Sequence, residues 1–255
     1  MTKNKTIRIL NLISFLIMIG INVFAMINLI GYSTKEVSDS IPTLLMPIGI
    51  TFSIVWTVIY IFLAIYTVYQ LFSKYDVTVD EVSVYYLASN LLNVLWIISF
   101  HGKMFLMSTI IIILLLADLY LIVRKLRFGY MIPRVTFSIY FGWITVATFV
   151  SIFSYISSID PNAYDSVLMR IFTALALIVL MIITFVRSND YPFIFTIDVA
   201  MIGVLLKQVI DFNGRYPEIV IVNIIGIIMT TVVAVMNLTG NDRIMPDKAY
   251  QGSNY

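Results

Sequence analysis

Long apolar stretches separated by short polar connectors run through almost the whole chain. A transmembrane helix needs about 20 apolar residues, each rising about 1.5 Å, to cross about 30 Å of hydrocarbon. By that measure eight spans are predicted, over 9–31, 44–72, 84–100, 104–123, 135–157, 166–186, 192–210 and 217–238. The third and seventh are short and carry polar residues. Pro133, Pro192 and Pro217 stand where the fifth, seventh and eighth spans begin. A missing N–H is tolerated in the first turn of a helix.

Composition supports the same reading. Of 255 residues, 60% are apolar and only 12% are charged, with a mean hydropathy of +0.97. A soluble globule of this size cannot hide such a surplus beneath a polar surface. This excludes a soluble enzyme and a disordered chain. The net charge of +2 supplies no basic patch for nucleic acid. The expected fold is all-α, a polytopic integral membrane protein with a five-helix bundle and about three additional transmembrane helices. With no Cys and one His, disulfides, thiolate metal sites and paired-His metal sites are unavailable.

Charge sets the orientation. With eight spans, Lys3, Lys5, Arg8, Lys74, Arg124, Lys125, Arg127, Arg134, Arg187, Arg243 and Lys248 fall on the amino-terminal side. Lys35, Lys103, Arg170, Lys207 and Arg215 fall opposite. Cytoplasmic loops carry the excess of Lys and Arg, so both termini are expected in the cytoplasm. The first span is too long for a signal-peptide core of about 7–15 residues, and no A-x-A site follows. It reads as a retained anchor. The polar connector 157–166, with Asp160, Pro161 and Asn162, divides the chain into a core over 1–158 and a three-helix block over 159–238. A polar tail follows over 239–255.

Three spans carry an aromatic and polar stripe. Phe52, Trp56 and Tyr60 repeat every four residues. Tyr86, Asn90, Asn93, Trp96 and Phe100 form a second stripe, at about 100° of helical rotation per residue. Thr136, Tyr140, Trp143, Ala147, Ser151 and Ser154 form a third. Each stripe can be helix packing or an interfacial aromatic belt. Together, rings from three helices with a few amides also suit a pocket for a flat apolar ligand with polar edges.

The residues from Phe52 to Tyr60, Phe-Ser-Ile-Val-Trp-Thr-Val-Ile-Tyr, resemble the second-helix F-G-P-V-W-T-x-L-Y signature of the TspO/MBR family. That family comprises the tryptophan-rich sensory proteins and the peripheral benzodiazepine receptor, or translocator protein. Leu92-Asn93-Val94-Leu95-Trp96 is similar to its third-helix L-N-x-x-W. Trp143-Ile144-Thr145-Val146-Ala147-Thr148 is similar to its fifth-helix W-V-x-F-A-T. Ser53 and Ile54 replace the Gly-Pro of the second helix, and Ser151 stands where the fifth usually has Asn. The first loop, with Pro42 and Pro47, resembles a longer bacterial branch with additional helices. Motifs cover roughly 10–157, and all three Trp residues fall on family Trp positions. The resemblance implies a five-helix TspO-like core whose pocket binds porphyrins. Phe52, Trp56, Tyr60, Asn93, Trp96, Trp143 and Ala147 are its ligand-binding candidates. It implies no required cofactor, a porphyrin or other tetrapyrrole as ligand, the lipid bilayer as surroundings and a homodimer as an option.

Four ionisable residues need separate readings. Asp118 shares a helix face with Lys125, which suggests an interfacial ion pair, with a proton relay as the alternative. Asp198 lies near the middle of the seventh span, where insertion costs about 2.5–3.5 kcal/mol, so it should face protein or water. Lys207 lies near the end of that span, nine residues from Asp198 and on the opposite face, which disfavours a Schiff-base role. His101 reads as a solvated loop residue. Asn223, Gly226 and Thr230 form a small-residue seam expected to dock the last helices onto the core.

The function expected is a membrane-embedded sensory or regulatory protein that binds a planar hydrophobic ligand and is not an enzyme. The first rival is a carrier for tetrapyrroles or similar apolar molecules. The second is a porphyrin-modifying enzyme, although no recognisable catalytic motif is present.

Overall fold

A computed structural model describes residues 2–41, 43–73, 77–126 and 131–239. Pro42, Lys74, Arg127, Arg243, Lys248 and nearly all of the polar tail lie outside the described residues. Within them the protein is helical and without strands: α1 (Thr2–Met26), α2 (Thr34–Ser40), α3 (Gly49–Phe72), α4 (Val77–His101), α5 (Phe105–Lys125), α6 (Met131–Ile159), α7 (Val167–Val186), α8 (Tyr191–Ile210) and α9 (Pro217–Thr239). A 3₁₀ turn (Ala163–Asp165) lies between α6 and α7. Eight helices, all but α2, are long and apolar enough to span a membrane. The protein is therefore an all-α polytopic membrane protein with the eight spans expected.

Several boundaries differ from the hydropathy pattern. α1 ends at Met26 rather than continuing to residue 31, and the chain turns through positive φ at Asn28 (61°) and Gly31 (64°). α3 starts at Gly49 rather than at residue 44. Pro47 disfavours helical geometry at Met46 before it and lacks an N–H of its own. Leu44, Leu45 and Met46 are buried in an irregular connector instead. α4 begins at Val77, well before residue 84, because polar residues such as Asp80 occupy its first turns. α2 carries a complete capping box: Ser33 Oγ accepts from Glu36 N at 3.1 Å, and Glu36 Oε2 accepts from Ser33 N at 2.8 Å.

α6 is the central post. It packs on α5, α3 and α8, while α4 packs on α1 and α5. α9 packs on α8 and α7. Gly142 lets α8 approach α6 closely, since a Cβ there would lie 3.1 Å from Phe193 O and from Thr196 Cβ.

Candidate functional site

The three stripes meet. Trp56 of α3 stacks between Tyr60 (ring centroids 5.3 Å apart) and Trp96 of α4 (5.5 Å), and Trp96 stacks on Phe100 (5.5 Å). Trp143 of α6 meets Trp56 edge-on at 6.4 Å and Phe52 at 5.8 Å. These separations suit offset-stacked and edge-to-face ring pairs. All three indoles are buried, and none of Trp56 Nε1, Trp96 Nε1 and Trp143 Nε1 has a hydrogen-bond partner.

Asn93 is fully buried and committed elsewhere. Its Oδ1 accepts from Asn22 Nδ2 of α1 at 2.9 Å, and its Nδ2 donates to Tyr140 OH at 3.0 Å. Tyr60 OH donates to Asn22 Oδ1 at 2.6 Å. Tyr60 and Asn93 thus form a side-chain network joining α1, α3, α4 and α6.

A cavity of about 30 Å³ lies beside the rings, toward the end of the bundle opposite the amino terminus. Phe52, Trp96, Phe100, Trp143, Ala147, Ser151 and Ser154 contribute to its wall, and Met46 and Pro47 of the connector line it as well. Ser154 Oγ is buried there without a partner. Of the seven expected ligand-binding residues, Phe52, Trp96, Trp143 and Ala147 line this cavity. Trp56, Tyr60 and Asn93 are not among the residues that line it. Ligand pockets commonly enclose about 300–1,000 Å³, and one water occupies about 30 Å³ of liquid. The cavity in this conformation therefore fits a water, and a larger occupant requires the rings and connector to move apart.

Sequence reading missed the polar face of α1. Arg8 does more than flank a span: it is buried, donates to Gln70 O at 2.8 Å and pairs with Asp80 Oδ1 at 2.8 Å. Asn11 Nδ2 donates to Gln70 Oε1 at 3.0 Å, and Asn90 Nδ2 donates to Ser14 Oγ at 3.0 Å. The signal was the recurrence of Asn11, Ser14 and Asn22 at helical spacing.

Other expectations need correction. His101 is not a solvated loop residue: it ends α4, is buried, and its Nδ1 lies 2.6 Å from Tyr32 O. Its carbonyl accepts from Tyr32 N at 2.9 Å. Gly31 permits this approach, because a Cβ there would lie 2.3 Å from His101 O. Asp118 and Lys125 form no ion pair. Asp118 Oδ2 is buried without a partner, and Lys125 Nζ lies over the Tyr85 ring at 5.4 Å. Seven residues bring two side chains to one face but also separate them by about two turns. Asp198 does face protein, accepting from Thr230 Oγ1 of α9 at 2.5 Å. The Asn223–Gly226–Thr230 seam joins α9 to α8, with Asn223 Nδ2 donating to Met201 O at 2.9 Å. α8, rather than that seam, contacts the core. Among the described residues no group of three His, Cys, Asp or Glu side chains could hold a metal ion.

Fold and site together define a polytopic helical membrane protein with an aromatic cluster around a small intramembrane cavity. A family model described as TSPO-like protein matches residues 8–236, and the chain belongs to this TSPO-like family. The match runs beyond the motif-bearing region and into α9. No curated protein and no solved structure matches the chain.

Proposed function

We propose that this protein is a membrane-embedded sensory or regulatory protein whose pocket takes a planar hydrophobic ligand, a porphyrin or other tetrapyrrole. The observation that carries the reading is the convergence of three buried indoles with unpartnered N–H groups, two of them, Trp96 and Trp143, lining a cavity. Such groups are costly to leave unpaired. A flat ring system with acceptor atoms at its edge would stack on the rings and receive these donors. With Asn93 held by Asn22 and Tyr140, the indoles and Ser154 supply the polar recognition. Membership of the TSPO-like family supports the same class of protein. The excess of basic residues on the amino-terminal side supports an orientation with both ends in the cytoplasm.

Because all three tryptophans belong to the cluster, their emission reports directly on occupancy. Titration of the purified full chain with a panel of porphyrins should quench it strongly. An aromatic stacking partner contributes about 0.5–1.5 kcal/mol beyond its buried area, so Trp143→Ala should weaken binding about tenfold. If no porphyrin quenches a folded preparation, the tetrapyrrole reading fails and the stripes are packing.

A further inference from the structure

The connector that contributes Met46 and Pro47 to the cavity wall is fastened to a helix outside the motif-bearing core. Met46 and Pro47 line the cavity, and the chain on either side of them is bonded to α8. Before them, Leu44 O accepts from Gln208 Nε2 at 2.6 Å. After them, Ile48 N donates to Gly203 O at 3.0 Å. Gln208 is wholly buried, 164 residues from Leu44 in sequence. Gly203 has no side chain where α8 meets the first turn of α3: a Cβ there would lie 2.7 Å from Thr51 Cγ2. The loop on the other side of α2 is held at the end of α4 by the paired Tyr32 and His101 contacts.

We propose that Gln208 and Gly203 of α8 are positioning residues that latch the Met46–Pro47 roof over the aromatic cavity, so that α8 controls access to it. A roof formed by a connector without regular structure has few internal hydrogen bonds to hold its shape. Two hydrogen bonds to a rigid helix, one from the Gln208 side chain and one to the Gly203 carbonyl, lie on both sides of the roofing residues and fix their height above the rings. Gln208 Oε1 has no partner of its own. The Gln208 half of the latch is thus a single buried side-chain bond, suited to releasing and closing again. Its bearing on ligand entry rests on the ligand-binding reading above, but the latch can be measured with no ligand present.

The chain lacks cysteine, so Ser154→Cys places a single thiol in the cavity wall. A small methanethiosulfonate reagent should label it slowly in otherwise unaltered protein. Adding Gln208→Leu removes the donor and should raise the labelling rate about two- to tenfold, the range set by one net hydrogen bond. Gly203→Ala should raise it too, by pushing α8 from Thr51 while leaving every side-chain donor in place. A thiol at the exposed Lys35, introduced by Lys35→Cys, should label at the same rate with or without either change. Hydrogen exchange supplies a test free of substitutions: the Ile48 amide should exchange as slowly as interior amides of α8. Unchanged Ser154→Cys labelling in the folded variants, or rapid exchange at Ile48, overturns the latch. Faster labelling alongside failed porphyrin binding would leave the latch standing and remove the tetrapyrrole reading alone.

Discussion

α6 and α9 are both long and apolar, yet 67% of the spanning window of α6 is buried in protein, against 22% for α9. The more buried helix is the less apolar one. In water that order would be reversed. In a bilayer the lipid accepts apolar side chains as readily as the protein interior does, whereas polar groups need protein partners. α6 buries Thr136, Ser138, Tyr140, Thr145, Thr148, Ser151 and Ser154. The buried polar residues of α9 are Asn223 and Thr230, both facing α8. Polarity therefore marks the inside of this molecule, and the candidate site lies on its most buried post.

Substitutions can break or sharpen that contrast. The largest effect is expected from Gly142→Leu in α6, where even a Cβ would crowd Phe193 O and Thr196. Overpacking of this kind costs about 1–3 kcal/mol, and a branched side chain against backbone belongs at the upper end. Detergent-resistant thermal unfolding should show it, together with loosened packing of α8 on α6. Near-native stability would mean that α6 is not tightly gripped.

Asn93→Leu comes next. It deprives Asn22 and Tyr140 of a partner, and an unsatisfied buried group costs about 1–3 kcal/mol. The loss should appear in stability, with porphyrin affinity less affected than by Trp143→Ala. The opposite ranking would return Asn93 to the ligand-contacting set.

Gly226→Ala in α9 should be far milder. Its added methyl meets the ends of the flexible Met201 and Met181 side chains, which can swing aside. Replacing a helical Gly by Ala is favourable by about 0.5–1 kcal/mol, so the melting temperature should stay level or rise slightly. A large drop would show α9 to be as tightly packed as α6.

The smallest effect lies outside both helices. The Ser33 backbone N–H and hydroxyl hold the Glu36 carboxyl below its ordinary range. A depressed carboxyl stabilises the fold above its unfolded pKa, and that contribution is lost as pH falls through the lower folded value. Protection of the α2 amides, measured against their intrinsic exchange rates, should therefore fall under acid conditions below the ordinary glutamate range, and Glu36→Gln should remove that fall. Protection that is insensitive to acid would leave the capping box without an electrostatic role.

Length and hydropathy were enough to count the spans, because crossing a membrane constrains each helix separately, whatever its neighbours. The stripes bearing Trp56, Trp96 and Trp143 were likewise legible, since residues on one helix face recur at a fixed spacing. Their chain motifs also pointed to the family that the match over 8–236 bears out. Partnership was not legible. His101 looked like a loop residue until Tyr32 was brought against it, and Arg8 looked like a flanking charge until Asp80 met it. Asn93 was read as a ligand contact, yet the packed bundle commits both ends of its amide. The cavity's small size and the roof's attachment to Gln208 depend on residues from helices far apart in sequence. Hydropathy is carried by each segment alone, whereas hydrogen-bond satisfaction and enclosed volume belong to surfaces that exist only after the helices have packed.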